Sequence, residues 1–132
     1  MKRMLQLAAV GAMVAGLAGA GAAQSNQAQT WSGFISDSHC GAMHASDIEH
    51  GGRITARECV IGREGDASIP GCVSAKNGAT FVFVNGADKK VFHVANQDFA
   101  DLRVHAMHDI QLTGTLEGDT ITVTRIVMPR GQ

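Results

Sequence analysis

The stretch ATFVFVNGADKKVFHVA, residues 79–95, decides the fold. ATFVFV (79–84) reads as a strand of β-prone apolar residues, NGAD (85–88) as a hairpin turn through Asn85-Gly86, and KKVFHVA (89–95) as its partner strand. A second hairpin follows in DIQLTGTLEGDTITVTRIVM, residues 109–128. It turns at Gly118-Asp119 and sets Ile110, Leu112 and Leu116 against Ile121 and Val123. Its last strand is rich in threonine and β-branched residues, which suit a pleated, half-buried surface. Between the hairpins, NQDFADLRVHAMH (96–108) places Phe99, Leu102 and Met107 on one side, and predicts a short helix starting near Asn96.

Upstream, TWSGFIS (30–36) alternates Trp31, Gly33 and Ile35 against Ser32, Phe34 and Ser36, the period of a strand. Residues 37–79 carry no strand pattern. Gly51-Gly52 breaks that segment, ITARECVI (54–61) suggests a short helix, and REGDASIPG (63–71) is turn chemistry. The order is strand, long loop with a helical turn, two strands, short helix, two strands. This is the order of a five-stranded OB-like β-barrel with a long first loop and one or two short helices. Closure also removes the exposed edges of so short an all-β chain. The competing architecture is a small open β-sandwich.

The N-terminal stretch MKRMLQLAAVGAMVAGLAGAGAAQ has Lys2 and Arg3, then an apolar run from Met4 to about Ala20, then small residues. That is the layout of a secretory signal peptide over residues 1–23, cut after Ala22 or Ala23. A retained membrane helix is the weaker alternative. The expected protein is therefore exported, periplasmic or secreted, with no integral membrane span after cleavage. Residues 24–30 read as a polar disordered arm and 31–130 as one small domain. Of 132 residues, 109 remain once the first 23 are removed. Lys2 and Arg3 leave with them, so 9 of 11 basic side chains face 12 acidic ones, a net charge of −3. No basic run survives, which argues against nucleic acid or an anionic membrane as partner.

Chemistry concentrates in SDSHCGAMH, residues 36–44, which packs Asp37, His39, Cys40, Met43 and His44 into nine positions. Cys59 and Cys72 complete an odd count of three cysteines. In an oxidising compartment two of them are expected to pair, and a disulfide from Cys40 to Cys59 or Cys72 would staple the long loop for about 2–4 kcal/mol. The other reading is a metal site. Cys40 and His44 are four apart, and with Cys59 and Cys72 they make three thiolates and one imidazole, a zinc-type donor set. Bringing in His39 and Met43 shifts the preference towards copper. The spacing is neither a zinc ribbon nor a blue-copper loop, and a thiol oxidoreductase would want the C-x-x-C that is missing.

Taken together, TWSGFISDSHCGAMH, the later ECV and CV, GATFVFV, VFHVANQ and LTGTLEGDTITVTRI resemble a group of small secreted bacterial proteins of unknown function. Members start W-x-G-x-I-S-D-x-x-C-G-x-x-H and finish with an OB-like barrel. The likeness spans nearly all of residues 31–127 and implies a fold and an export route, with no activity attached. In that group the later cysteines lie close together, whereas here VIGREGDASIPG separates Cys59 from Cys72.

The remaining polar residues have plainer readings. Asp37, after a strand and between two serines, reads first as a turn or cap, and second as a ligand or base. His93, between Phe92 and Val94, is expected on a solvated strand face rather than as a ligand at the barrel mouth. His105 and His108, three apart, could chelate as a pair but read more readily as exposed residues interacting with a helix C-terminus. His50 belongs to a loop. No hydrolase, metalloprotease or phosphate-loop motif occurs, so no catalytic residues are assigned and the chain reads as a non-enzymatic binding module. Its sharpest form binds zinc or copper through the cysteine–histidine loop. Its rival is an envelope protein- or carbohydrate-interaction module using Thr80–Val84 and Val91–Ala95, with Phe81 or Phe83 and Phe92 or His93 on the barrel face.

Overall fold

The computed structural model describes residues 27–130. The stretch expected to be a signal peptide, residues 1–23, lies outside the described residues. Five strands close into one barrel in the order β1-β2-β3-β5-β4, with β1 Gln29–Asp37, β2 Phe81–Asn85, β3 Val91–Val94, β4 Ile110–Glu117 and β5 Thr120–Val127. All neighbours are antiparallel except β3 and β5, which run parallel. This is the expected OB-like barrel, and it displaces the open sandwich. Three short helices accompany it: α1 His44–Glu49 and α2 Arg53–Ile61 in the first long loop, and α3 Ala100–Val104 between β3 and β4. No helix among the described residues is long and apolar enough to cross a membrane.

Closure depends on β1 serving two partners. Its first half pairs with β4, from Gln29↔Gly114 to Gly33↔Ile110, and its second half with β2, from Gly33↔Asn85 to Asp37↔Phe81. Gly33 is the hinge of that exchange. A Cβ there would overlap the Val84 carbonyl oxygen and lie 2.7 Å from the Phe83 ring, so only glycine lets the strands coil so tightly. Ile35, Phe83, Phe92, Leu112 and Ile121 fill the core, and Trp31 packs on it with its ring 6.3 Å from that of Phe92. Gln29 and Thr30 extend β1 into what reads as a polar arm, because β4 offers them a partner.

Three local expectations are corrected. The chain between β2 and β3 turns over NGAD as expected, but Lys89 and Lys90, expected to open the partner strand, precede β3. Lys89 and Lys90 take part in the loop, which closes with Lys89 N–H donating to the Asn85 carbonyl and Lys89 itself at φ +60°. The helix expected from Asn96 starts only at Ala100, because Asn96 and Gln97 are used to extend the sheet. Asn96 exchanges both amide groups with the backbone of Val123. Gln97 accepts from Phe81 N–H and donates to the Phe81 and Val94 carbonyls. Finally, α1 carried no apolar period in the sequence. It is a six-residue segment held by local bonds, among them Ser46 Oγ donating to the Met43 carbonyl.

Candidate metal centre

Asp37 ends β1 fully buried, directly above the first long loop. Its Oδ1 accepts from the backbone N–H groups of His39 and Cys40, both at 2.9 Å, the turn geometry short acidic side chains favour. Three further bonds stitch the same loop down: Ser36 Oγ donates to the Gly41 carbonyl, Ser38 N–H donates to the Thr80 carbonyl, and Thr80 N–H donates to Ser38 Oγ. Cys40 is thereby fixed at the mouth of the loop, before the single 3-10 turn Gly41–Met43.

The other two thiols arrive by a different route. Cys59 lies in the last turns of α2. The chain then leaves through Gly62 (φ +83°), loops out, and returns through Pro70 and Gly71. On its return Cys72 N–H donates to the Cys59 carbonyl at 2.8 Å, and Val73 N–H to that of Val60 at 3.0 Å. Gly71 permits this approach, since a Cβ there would run into the backbone of Gly62 and Ile61. The twelve residues between the two cysteines thus form a closed excursion. Cys59 Sγ and Cys72 Sγ end 3.8 Å apart.

Ligand atoms of Asp37, Cys40, Cys59 and Cys72 all lie within 4.8 Å of one another. Two thiolates bound to one Zn²⁺ at 2.3 Å and the tetrahedral angle stand about 3.8 Å apart, the separation of the Cys59 and Cys72 sulfurs. All three thiols are half-buried and free. The disulfide expected from Cys40 to Cys59 or Cys72 is not formed; all three thiols are free, and Cys59 and Cys72 meet at 3.8 Å in the same cluster as Cys40. The physical reason is convergence. The turn around Asp37 brings Cys40 to the junction of α2 and the returning loop, so the three sulfurs surround one point.

Charge is unfavourable in this cluster without a cation. Burial, then the hydrogen bond and charge of Cys72, then the charges of Cys40 and Asp37, push the Cys59 thiol up to about 12. Burial first, and next the Asp37 carboxylate, also raise Cys40. Both shifts have the direction expected of acids crowded together out of water.

The sequence-stated ligand set is therefore three-quarters assembled. Cys40, Cys59 and Cys72 converge, but the fourth position belongs to Asp37, which read first as a turn residue and does that work with Oδ1. Its other oxygen, Oδ2, is buried and has no hydrogen-bond partner. His44 stands behind it. The side chain is 8 % exposed, with Nδ1 2.8 Å from Asp47 Oδ2 and Nε2 3.4 Å from Asp37 Oδ2. It is a neighbour of the carboxylate and not a member of the four-ligand group. His39 and Met43 face solvent, Met43 at 66 % exposure. An aspartate three residues before a cysteine at a strand end was the available signal, masked because such an aspartate commonly caps a turn.

Elsewhere His93 and His50 follow their plainer readings, whereas His105 and His108, expected to be exposed, are half-buried, each with a buried Nδ1 that has no hydrogen-bond partner. His93 is exposed on β3, and His50 ends α1 with Nδ1 on the Ser46 carbonyl. His105 and His108 stand edge to face, 6.1 Å apart, after α3. Burial, and then the guanidinium of Arg57, hold His108 below the usual histidine range. Arg53 and Arg57 donate to the carbonyls of Met107 and Ala106, so this corner already holds two fixed cations and disfavours another. On the barrel face, Phe81, Phe83 and Phe92 are buried, which removes the aromatic platform expected there. The cause is cover on both sides of β2, whose residues Phe81–Val84 are all inaccessible. Comparison of the chain with protein families, with curated proteins and with solved structures finds no match.

Proposed function

We propose that this chain is an exported, non-catalytic metal-binding protein that holds one Zn²⁺-class ion through Asp37, Cys40, Cys59 and Cys72. The observation that carries the reading is the convergence of three sulfurs and one buried carboxylate within 4.8 Å, brought from three separate segments of chain. A hard oxygen in place of the expected imidazole favours Zn²⁺ over Cu(I), which prefers an all-sulfur or sulfur–imidazole shell. Four protein donors leave no open position for a substrate, which supports a structural or carrier role over catalysis. Bound metal would also tie the first long loop to the end of β1, the anchoring otherwise sought from a disulfide. The leader sequence and the resemblance to small secreted bacterial proteins support export.

The test is a titration of the reduced protein with Co²⁺ and Zn²⁺. Tetrahedral Co²⁺ bound to thiolates gives intense sulfur-to-metal charge-transfer absorption and visible bands, both displaced by one equivalent of Zn²⁺. Loss of these bands in Cys40→Ser, Cys59→Ser and Cys72→Ser supports the reading. Metal uptake unchanged in all three variants would overturn it.

A further inference from the structure

Cys59 and Cys72 occupy adjacent backbone positions, joined by the Cys72 N–H to Cys59 carbonyl bond at 2.8 Å. Their sulfurs are 3.8 Å apart, whereas a disulfide needs about 2.05 Å. Rotation about the two side chains can close that gap while the Gly62–Gly71 approach keeps the segments together. Cys40 differs in kind. Its sulfur lies in the same cluster, but its backbone is pinned to β1 and Thr80 by the bonds of Ser36, Asp37 and Ser38. Both Cys59 and Cys72 are partly exposed residues.

We propose that Cys59 and Cys72 form a reversible disulfide by exchange with an incoming disulfide, and that this bond and the metal are alternative occupants of the same two sulfurs. The inference rests on the metal-binding reading above. One of the two thiolates attacks a disulfide R–S–S–R, forming a mixed disulfide and releasing RS⁻. The second thiolate attacks the protein sulfur of that mixed disulfide and releases a second RS⁻. The two protein thiolates lose two electrons, R–S–S–R gains them as two thiolates, and the divalent ion departs as its charge-compensating ligands become neutral. Only Asp37 and Cys40 then remain, too few donors to hold it. No C-x-x-C is needed, since the fold brings the pair together across twelve residues.

The experiment loads the reduced full chain with Zn²⁺, adds oxidised glutathione, and follows Zn²⁺ release with a chromogenic chelator. The products are then mapped by peptide mass analysis under non-reducing conditions. The expected result is one Zn²⁺ released per Cys59–Cys72 bond formed, one free thiol at Cys40, and at least 100-fold weaker Zn²⁺ binding until a dithiol reductant is added. Cys40→Ser removes a metal ligand but not a partner in the bond, so its metal-free form should still form the Cys59–Cys72 disulfide. Metal bound by the reduced protein but retained with three thiols after exposure to oxidised glutathione overturns this inference alone. A bond mapped to Cys40 overturns it as well. Failure of the reduced protein to bind Zn²⁺ at all overturns both this inference and the function it rests on.

Discussion

His44 Nε2 stands 3.4 Å from Asp37 Oδ2, and neither atom has a hydrogen-bond partner. The imidazole is steered to that place from its other side, where Nδ1 meets Asp47 Oδ2 at 2.8 Å. The chain therefore sets the His44 imidazole between two carboxylates, one of them the Asp37 of the thiol cluster. Groups behind a ligand orient it and tune its basicity, and their loss commonly costs 10–100-fold in metal affinity.

His44→Ala should accordingly weaken Zn²⁺ binding by about 10–100-fold without abolishing it, since the four donors remain. His50→Ala, whose ring meets only the Ser46 carbonyl, should leave binding unchanged. Competition titrations against a chelator of known affinity decide between them. Equal affinity in both variants would mean that the N–H groups of His39 and Cys40 suffice to position Asp37.

Asp37 has two duties that can be separated. Asp37→Asn keeps an oxygen to accept from His39 and Cys40 but gives up the anionic donor, so metal affinity should fall while the metal-free fold persists. Asp37→Ala leaves those two donors unserved and should cost a further 1–3 kcal/mol or so in the metal-free protein. Urea unfolding with and without Zn²⁺ measures both effects.

Gly71 is the residue that lets Cys72 reach Cys59. In Gly71→Ala the new Cβ would meet the backbone of Gly62, Ile61 and Val60, and overpacking of that kind typically costs about 1–3 kcal/mol. The loop should back away, lowering Zn²⁺ affinity together with stability. Gly65 lies in the same excursion at φ +79° with nothing within 4 Å. Gly65→Asn, which tolerates that conformation, should bind metal as the wild type does.

Thiol ionisation gives the pH dependence its sign. Cys59 is raised from 9.0 to about 12 and Cys40 is also raised, so the folded metal-free protein keeps its thiol protons longer than the unfolded chain. That contribution to stability is complete below about pH 9 and is lost as pH climbs towards 12. Metal binding must expel the same protons, so apparent affinity should rise with pH across the neutral range, about tenfold per unit for each proton released. Proton release measured in weakly buffered Zn²⁺ titrations, and denaturant melts of the reduced apo-protein from pH 8 to 11, test the two halves separately.

Gln97 closes the gap between β2 and the segment after β3 with three hydrogen bonds. Gln97→Ala should destabilise the barrel by about 2–4 kcal/mol, at roughly 1 kcal/mol per bond plus the exposed Phe81 backbone groups. Because the thiol cluster sits on other segments, Zn²⁺ affinity measured well below the melting temperature should be nearly unchanged.

Local pattern alone determined the barrel. The runs Phe81–Val84 and Val91–Val94, the alternation from Trp31 to Ile35 and the Gly118-Asp119 hairpin are period-two and turn signals that need no distant partner to be recognised. Composition likewise marked Cys40, Cys59 and Cys72 as the residues with chemistry to offer. What the chain order could not contain is which of them meet, and what completes them. Spacing suggested His44, four residues from Cys40, because i and i+4 converge on one helix. The helix in fact begins at His44 itself and turns its ring back onto Asp37. Asn96 and Gln97 looked like the start of a helix, and only the empty hydrogen-bonding positions beside Val123 and Phe81 drew them into the sheet. The meeting of Cys59 with Cys72 depends on two glycines whose backbones touch across an excursion with no periodicity at all. Such contacts are long-range and cost loop-closure entropy, so they exist only once the barrel has fixed both ends of the loop.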